Sequence, residues 1–309
     1  MKKPLLILLL LAFVYESGFS QNIAERLGYE ENAKLLIIHA DDLGLSRGEN
    51  QATLESMKNG VVNSTSVMVP CPWSPEAGLI HKANPDLDVG VHITLTNEWF
   101  LYKWGSVSDE AAAGLENEDG YMFADCASVA KNASPEDVEA EINAQVDLAI
   151  SLGIKPTHLD SHMGCIFYGR PEYLQAYLRV AKKHGIPAML NEQMVKGIIE
   201  PNAALFEEFD LSNYPLVDQV ISALPQNYES GMDAYYSSVL DELGPGLNVI
   251  LIHVAYDDLE MQGIATDHDY WHAPWRQQDF DFFTSQKAKD LLQENDIKLV
   301  TWREIGELL

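Results

Sequence analysis

Lys34 to Ala40 reads KLLIIHA, and the next residues are Asp41, Asp42, Leu43 and Gly44. Seven residues with an almost unbroken apolar centre have strand length, and a run apolar on both faces suits a parallel strand covered on both sides. Two adjacent carboxylates where the run stops place polar groups at the C-terminal end of that strand. Working outward, Asn63 to Val69 (NSTSVMV) and Leu87 to Leu95 (LDVGVHITL) repeat the pattern, with helical stretches at Gly48 to Asn59 and Ser74 to Ala83 between them. Ser134, Pro135, Glu136 and Asp137 open a helix running to about Leu152, with an N-cap serine, proline in the first turn and acids near the helix start. Lys155 to Asp160 reads as a strand, Pro171 to His184 as a helix and Ile186 to Leu190 as a strand. Asn248 to Val254 and Ile297 to Thr301 are the last strands, with a helix over Thr284 to Glu294. Strand and helix in repeated alternation, with no low-complexity linker, predict an α/β fold of a single domain, a (β/α) barrel-like architecture. The stretches 98–133 and 192–236 lack this rhythm and read as insertions around the mouth.

The N-terminus reads as an address. Lys2 and Lys3 precede an apolar stretch from Pro4 to Tyr15, with Gly18 and Ser20 at cleavage spacing. Residues 1–20 are expected to be a secretion signal, leaving 21–309 as the mature, exported domain. The apolar run is shorter than the ~20 residues of a transmembrane helix, so no stable membrane insertion is expected after cleavage. The chain has 47 acidic and 20 basic side chains, a net charge of −27, which argues against nucleic acid and anionic membranes as partners. Three cysteines, Cys71, Cys126 and Cys165, allow one internal disulfide and leave one thiol over. None is spaced for a thiolate zinc site, so a metal would fall to histidine and carboxylate. The sequence leaves room for a homo-oligomer without specifying one.

In barrel-like folds the chemistry gathers at the C-terminal strand ends. There the sequence offers Asp41 and Asp42; His92 in GVHITLT; His158, Asp160 and His162 in THLDSH; and His253 at the end of NVILIHV. Taken singly, each has an ordinary explanation as a cap, a turn residue or a satisfied core histidine. Jointly, a carboxylate and two imidazoles from different strands suit one divalent cation, and a second carboxylate nearby suits a base. Trp99, Phe100, Tyr102 and Trp104 follow His92 closely. Trp99 and Trp104, with Arg47, are the expected substrate contacts, the tryptophans by presenting aromatic faces on which a ring can stack.

LLIIHADDLGLSRGEN (35–50), GVHITLT (90–96) and KPTHLDSH (155–162) together resemble the successive motifs of YdjC-like carbohydrate deacetylases, among them the chitooligosaccharide deacetylases. NGVVNSTSVMV (59–69), IHVAYDD (252–258) and SQKAKDLLQENDIKLVTWREI (285–305) extend the resemblance along most of the mature chain. It implies hydrolysis of the acetamido group of N-acetylated carbohydrates and a divalent metal ion, magnesium or zinc foremost. Asp42, His92 and His162 would be the ligands, Asp41 the base and His253 the acid for the leaving nitrogen, with His158 and Asp160 orienting the ligands. The sequence departs from the family pattern at Leu43, at Met163 to Ile166 and at Val254. Three rivals share the scaffold. A metal-dependent phosphoesterase would need basic side chains to clamp phosphate, and only Arg47 and Arg170 lie near the motifs. A glycosidase using Asp41 or Asp42 with Asp160 would need no metal. A non-catalytic sugar-binding protein would have no use for an acid and base beside a metal triad.

Overall fold

The computed structural model describes residues 22–309, so the expected signal at 1–20 lies outside the described residues. Among these, β1 (Lys34–Leu43), β2 (Ser64–Val67), β3 (Val89–Ile93), β4 (Leu159–Ser161), β5 (Gln219–Ser222), β6 (Gly246–Ile252) and β7 (Ile297–Leu299) form one all-parallel sheet. The order is β4-β3-β2-β1-β6-β5. Along one edge β1 pairs with β6 from Lys34 to Ala40; along the other it meets β7 at its start and β2 from His39 onward. Single parallel bridges, Leu159 to Ala188 and Asn191 to Val217, carry hydrogen bonding from β4 toward β5. The sheet therefore curls on itself with helices outside, the expected barrel-like α/β architecture.

Side-chain alternation explains why the polar residues converge. On β1, Leu36, Ile38 and Ala40 face out and pack against helices with Val61, Trp275 and Phe283. Leu35 and Ile37 face in and share a core with Leu247, Val249, Val300 and Trp302. His39 and Asp41 continue that inward row above the apolar floor, because strand side chains on one face recur every second residue. The same parity turns Ser64 and Ser66, His92, and His158 and Asp160 inward. It sends Val89, Val91, Ile93 and Leu159 outward against the Pro135–Leu152 and Pro171–His184 helices.

Capping chemistry delimits those two helices as expected. Ser134 and Asp137 form a reciprocal capping box, and Gly153 (φ 95°) and Gly185 (φ 64°) turn left-handed to end each helix. Several segments differ from expectation, among them the strand expected over Lys155–Asp160, which is formed over Leu159–Ser161. Ile186–Leu190 forms one bridge, at Ala188, with a second at the following Asn191, and no continuous strand. The helix expected over Thr284–Glu294 begins at Gln286, after Ser285 caps it and a separate Ala273–Thr284 helix ends. Within 192–236 lies β5, whose Gln-Val-Ile-Ser sequence is only part-buried and gives no apolar run to recognise. A Cys126–Cys165 disulfide and a buried free Cys71 complete the sulfur inventory, and no described helix is long and apolar enough to cross a membrane.

Candidate metal centre and active site

Adjacent residues of a regular strand point to opposite faces, so Asp41 and Asp42 should not share a site. Between Ala40 and Leu43 the register with β2 shifts, and Asp42 takes a left-handed conformation (φ 66°). Such a bulge re-aims a side chain, and aspartate tolerates the left-handed region better than most residues. Both carboxylates therefore open to the same mouth.

Asp42 Oδ1 lies 3.5 Å from His92 Nε2 and 3.4 Å from His162 Nδ1, and all three groups are buried. Asp42 Oδ1 has no hydrogen-bond partner. The other nitrogen of each imidazole is held by a carboxylate: His92 Nδ1 lies 3.0 Å from Asp160 Oδ1, and His162 Nε2 lies 3.0 Å from Glu98 Oε1. In the neutral form, with N–H directed at those carboxylates, His92 Nε2 and His162 Nδ1 would be the lone-pair donors facing Asp42. This carboxylate–histidine arrangement is the usual support of a metal-binding imidazole. The donor set thus fits a divalent cation. Two further groups with the reach to hold an ion occur among the described residues, His39 with His158 and Asp160, and Asp41 with His92 and Asp160. Both depend on Asp160, whose oxygens already accept from His39, Ser66 and His92.

Burial opposes ionisation of Asp42, yet Arg276 and the neighbouring imidazoles hold its carboxyl well below the usual range. Burial likewise opposes charge on His162, but Glu98 and Asp42 raise it to about 10. His92 is raised against burial by Asp160, Asp41 and Asp42. Both imidazoles are thus biased toward the protonated form, whose proton a metal ion would displace.

Asp41 sits beside the triad. Its Oδ1 is 3.2 Å from His39 Nε2, and its Oδ2 is 3.7 Å from His253 Nε2. His39 directs its Nε2 hydrogen at Asp160 Oδ2 (2.9 Å), so its contact with Asp41 is one of charge more than of hydrogen bonding. Burial opposes a charge on His39, and Asp160 and Asp41 overcome it, raising the imidazole to about 10. His253 behaves oppositely: burial draws it down to about 4 despite Asp42 and Asp41. Its backbone N–H donates to Asp279 Oδ2.

The structure thus brings Asp41, Asp42, His92, His162, Asp160 and His253 together. Asp160 orients His92 directly. His158 makes no hydrogen bond to any candidate ligand; it stacks on Trp302, donates or accepts at Thr157 Oγ1 and meets His39 edge-on at 5.0 Å. It sits one step further out than expected, where the bare Cα of Gly90 leaves room for its ring, since a Cβ there would collide with it. Arg47 is drawn off to Glu76. Trp99 is buried, with His268 and the Arg276 guanidinium against its ring, and Trp104 is buried with Nε1 bonded to Thr96 O. Neither indole has a free face for a sugar, because the aromatic run after His92 packs beneath its own loop. Phe100, 60% exposed, is the aromatic of that run left open.

Three residues that the sequence motifs do not single out complete the centre: His39, Glu98 and Arg276. Arg276 donates to Asp42 Oδ2 (2.8 Å) and to both oxygens of Glu49 (2.8 and 2.9 Å), fully buried. Its signal was available: Arg276 and Asp279 lie on the same stripe of the Ala273–Thr284 helix as Phe282 and Phe283, and charges on a buried stripe need partners.

A family model described as YdjC-like protein matches residues 35–294. A carbohydrate deacetylase of Thermoanaerobacter pseudethanolicus is 29% identical over 270 residues, covering 87% of this chain and 98% of the relative. One from Thermus thermophilus is 28% identical over 298 residues, covering 93% and 99%. Among solved structures, an Enterococcus faecalis V583 protein provisionally assigned to cellobiose-phosphate cleavage superposes with a TM-score of 0.70 at 24% identity, covering 88% of this chain and 99% of that one.

Proposed function

The chain belongs to the YdjC-like family, and from that membership together with the site we propose that it is a metal-dependent hydrolase removing N-acetyl groups from acetylated amino sugars or oligosaccharides. The observation that carries this reading is the convergence of Asp42 Oδ1, His92 Nε2 and His162 Nδ1 beside Asp41 and His253. The relatives' deacetylase assignments support it.

Asp42, His92 and His162 would hold a divalent cation, which would supply a Lewis acid for the acetyl carbonyl oxygen and make water acidic enough to lose a proton near neutral pH. Asp41 takes that proton. Its Oδ1 is steadied by the His39 cation, which leaves Oδ2 for the transfer. His253 Nε2 lies 3.7 Å from Asp41 Oδ2, beyond a direct hydrogen bond, so the proton gained by Asp41 reaches His253 through an intervening water or as the two side chains close, and His253 delivers it to the amide nitrogen as the C–N bond breaks. The products are acetate and a free amine. One proton thus serves both as the base's gain and as the leaving group's requirement.

The phosphoesterase alternative loses its clamp: Arg276 is the arginine of the centre, and its donors are committed to Asp42, Glu49 and Trp271 O. A glycosidase pairing with Asp160 fares no better, since that carboxylate is buried under His39, His92 and Ser66. Export of the mature chain is supported by the Cys126–Cys165 disulfide, a bond that persists in oxidising compartments.

The test is acetate release from a panel of N-acetylated mono- and oligosaccharides, with and without EDTA and with divalent ions restored. Acetate that stops with EDTA and returns with metal is expected. Acetate indifferent to EDTA would overturn the metal requirement, and no acetate from the metal-loaded protein would overturn the reaction class.

A further inference from the structure

His162 stands at the end of β4, and the chain beyond it turns left-handed twice, at Met163 (φ 54°) and Gly164 (φ 69°), before reaching Cys165. Two successive left-handed residues, one with a side chain, make a turn that the backbone does not favour unaided. The Met163 side chain is 53% exposed, so packing at that residue does not hold the turn. The far end of the turn is anchored: Cys165 is buried and bonded to Cys126, the first residue of the Cys126–Asn132 helix.

The covalent partner belongs to the segment that already grips His162. That segment leaves β3 through Glu98, whose two carboxylate oxygens lie 3.0 and 3.2 Å from His162 Nε2, and ends at Cys126. Segment 98–126 and segment 162–165 are thus fastened to each other twice, by a charged hydrogen bond at one end and by sulfur at the other. The Cys126–Asn132 helix has other anchors, with Tyr173 Oη donating to Val129 O and Ala133 O, and Arg170 Nε to Ala130 O. Those bonds keep the helix on the Pro171–His184 helix whether or not the disulfide is present. None of them reaches the Met163–Gly164 turn.

We propose that the Cys126–Cys165 disulfide is a positioning element for His162: it clamps the Met163–Gly164 turn so that Nδ1 stays with Asp42 Oδ1 and His92 Nε2, and so sets the affinity for the cation. The proposal rests on the reading of His162 as a metal ligand. It makes the centre redox-sensitive. A small-molecule dithiol reduces the bridge to two thiols by giving up two electrons and two protons, and is itself oxidised to its disulfide; the reduced chain keeps its fold and binds the ion more weakly.

The experiment is a double-mutant cycle read by the dissociation constant for Mn2+, with free ion counted by electron spin resonance and thermal stability followed alongside. Cys126→Ser/Cys165→Ser is compared with the parent, and the same pair of changes is made in a His162→Ala background. Removing a group that orients a metal ligand typically weakens affinity about 10- to 100-fold. The expected result is a rise of about 10-fold or more in Kd with His162 present and almost none with His162→Ala, because coupled groups are non-additive. Stability falls in both backgrounds. An unchanged Kd with His162 present, or the same rise in both backgrounds, overturns the positioning role while leaving His162 a ligand. If His162→Ala alone leaves Kd unchanged, the ligand reading fails and the proposal falls with it. Should the serine variant not fold, the cycle is run on the parent and His162→Ala chains reduced by a dithiol that is then removed, and the same outcomes decide.

Discussion

Asp41 and Asp42 are neighbours in the chain, and the left-handed backbone at Asp42 opens both carboxylates to one mouth while giving them different partners. Asp42 is tied to Arg276 through Oδ2 and presents Oδ1 to the two imidazoles; Asp41 touches His39 and His253. Asp41→Asn should therefore keep its metal and lose about 10²- to 10⁴-fold in kcat, the usual contribution of a general base. Metal content and acetate release measured on one preparation check this, and parental activity would remove the base assignment. Proton linkage gives a second expectation. His162 is raised to about 10 in the cation-free chain, so at pH 7 it carries a proton on Nδ1 that a bound ion must expel. Metal affinity should rise as pH increases from 6 to 9, with protons released on binding. A dissociation constant flat over that range would contradict the ligand set. The strand-end positions of Asp41, Asp42, His92, His162 and His253 were legible in sequence because strand parity and apolar runs mark them. Glu98 and His39 were not, since their roles depend on which side chains meet across the barrel, and Arg276 was marked only by its place on a buried helix stripe, which does not name its partners.

At the scale of elements, legibility followed local chemistry. The Pro135–Leu152 and Pro171–His184 helices carry their own start and stop signals, proline in the first turn and glycine at the end, and their expected bounds match the structure. Ile186–Leu190 and β5 depend on neighbours supplied by distant chain, and their sequences contain no comparable marker. The 98–133 stretch, irregular in sequence, proves to deliver Glu98 and Cys126 to the β4 end. The β1 bulge is the element whose disturbance should reach function soonest. Gly44 follows it with φ 98°, and a Cβ there would lie 3.2 Å from both Met68 O and Ser74 Cα. Gly44→Ala should cost about 1–2 kcal/mol of stability from the left-handed backbone. Because the strain sits two residues from Asp42, metal affinity should fall with it. Denaturant midpoint and Mn2+ binding on the same variant test the pair, and a destabilised chain with parental affinity would show the bulge to be independent of its successor.

Across the whole molecule, charge decides both cohesion and partner choice. Arg276 joins a late helix to β1 through Asp42 and to the Arg47–Asn59 helix through Glu49, an ion cluster wholly inside the protein. Removing one partner of a buried ion pair costs about 3–5 kcal/mol because the other charge is stranded. Arg276→Met should therefore destabilise the chain strongly, and more without metal than with it, since a bound cation offsets the stranded Asp42. The net charge of −27 acts outward. A neutral acetylated sugar feels no net attraction or repulsion from it, so kcat/KM should stay level as salt rises toward ~0.5 M, where the Debye length is only a few ångströms. A phosphorylated sugar is repelled at low salt and gains as screening removes the repulsion, so its kcat/KM should climb over the same range. Paired salt titrations with a neutral and a phosphorylated N-acetylated sugar separate the two cases. A phosphorylated substrate preferred at low salt would mean that a local basic surface outweighs the acidic whole, which the engagement of Arg276 with Glu49 and Asp42 and of Arg47 with Glu76 argues against.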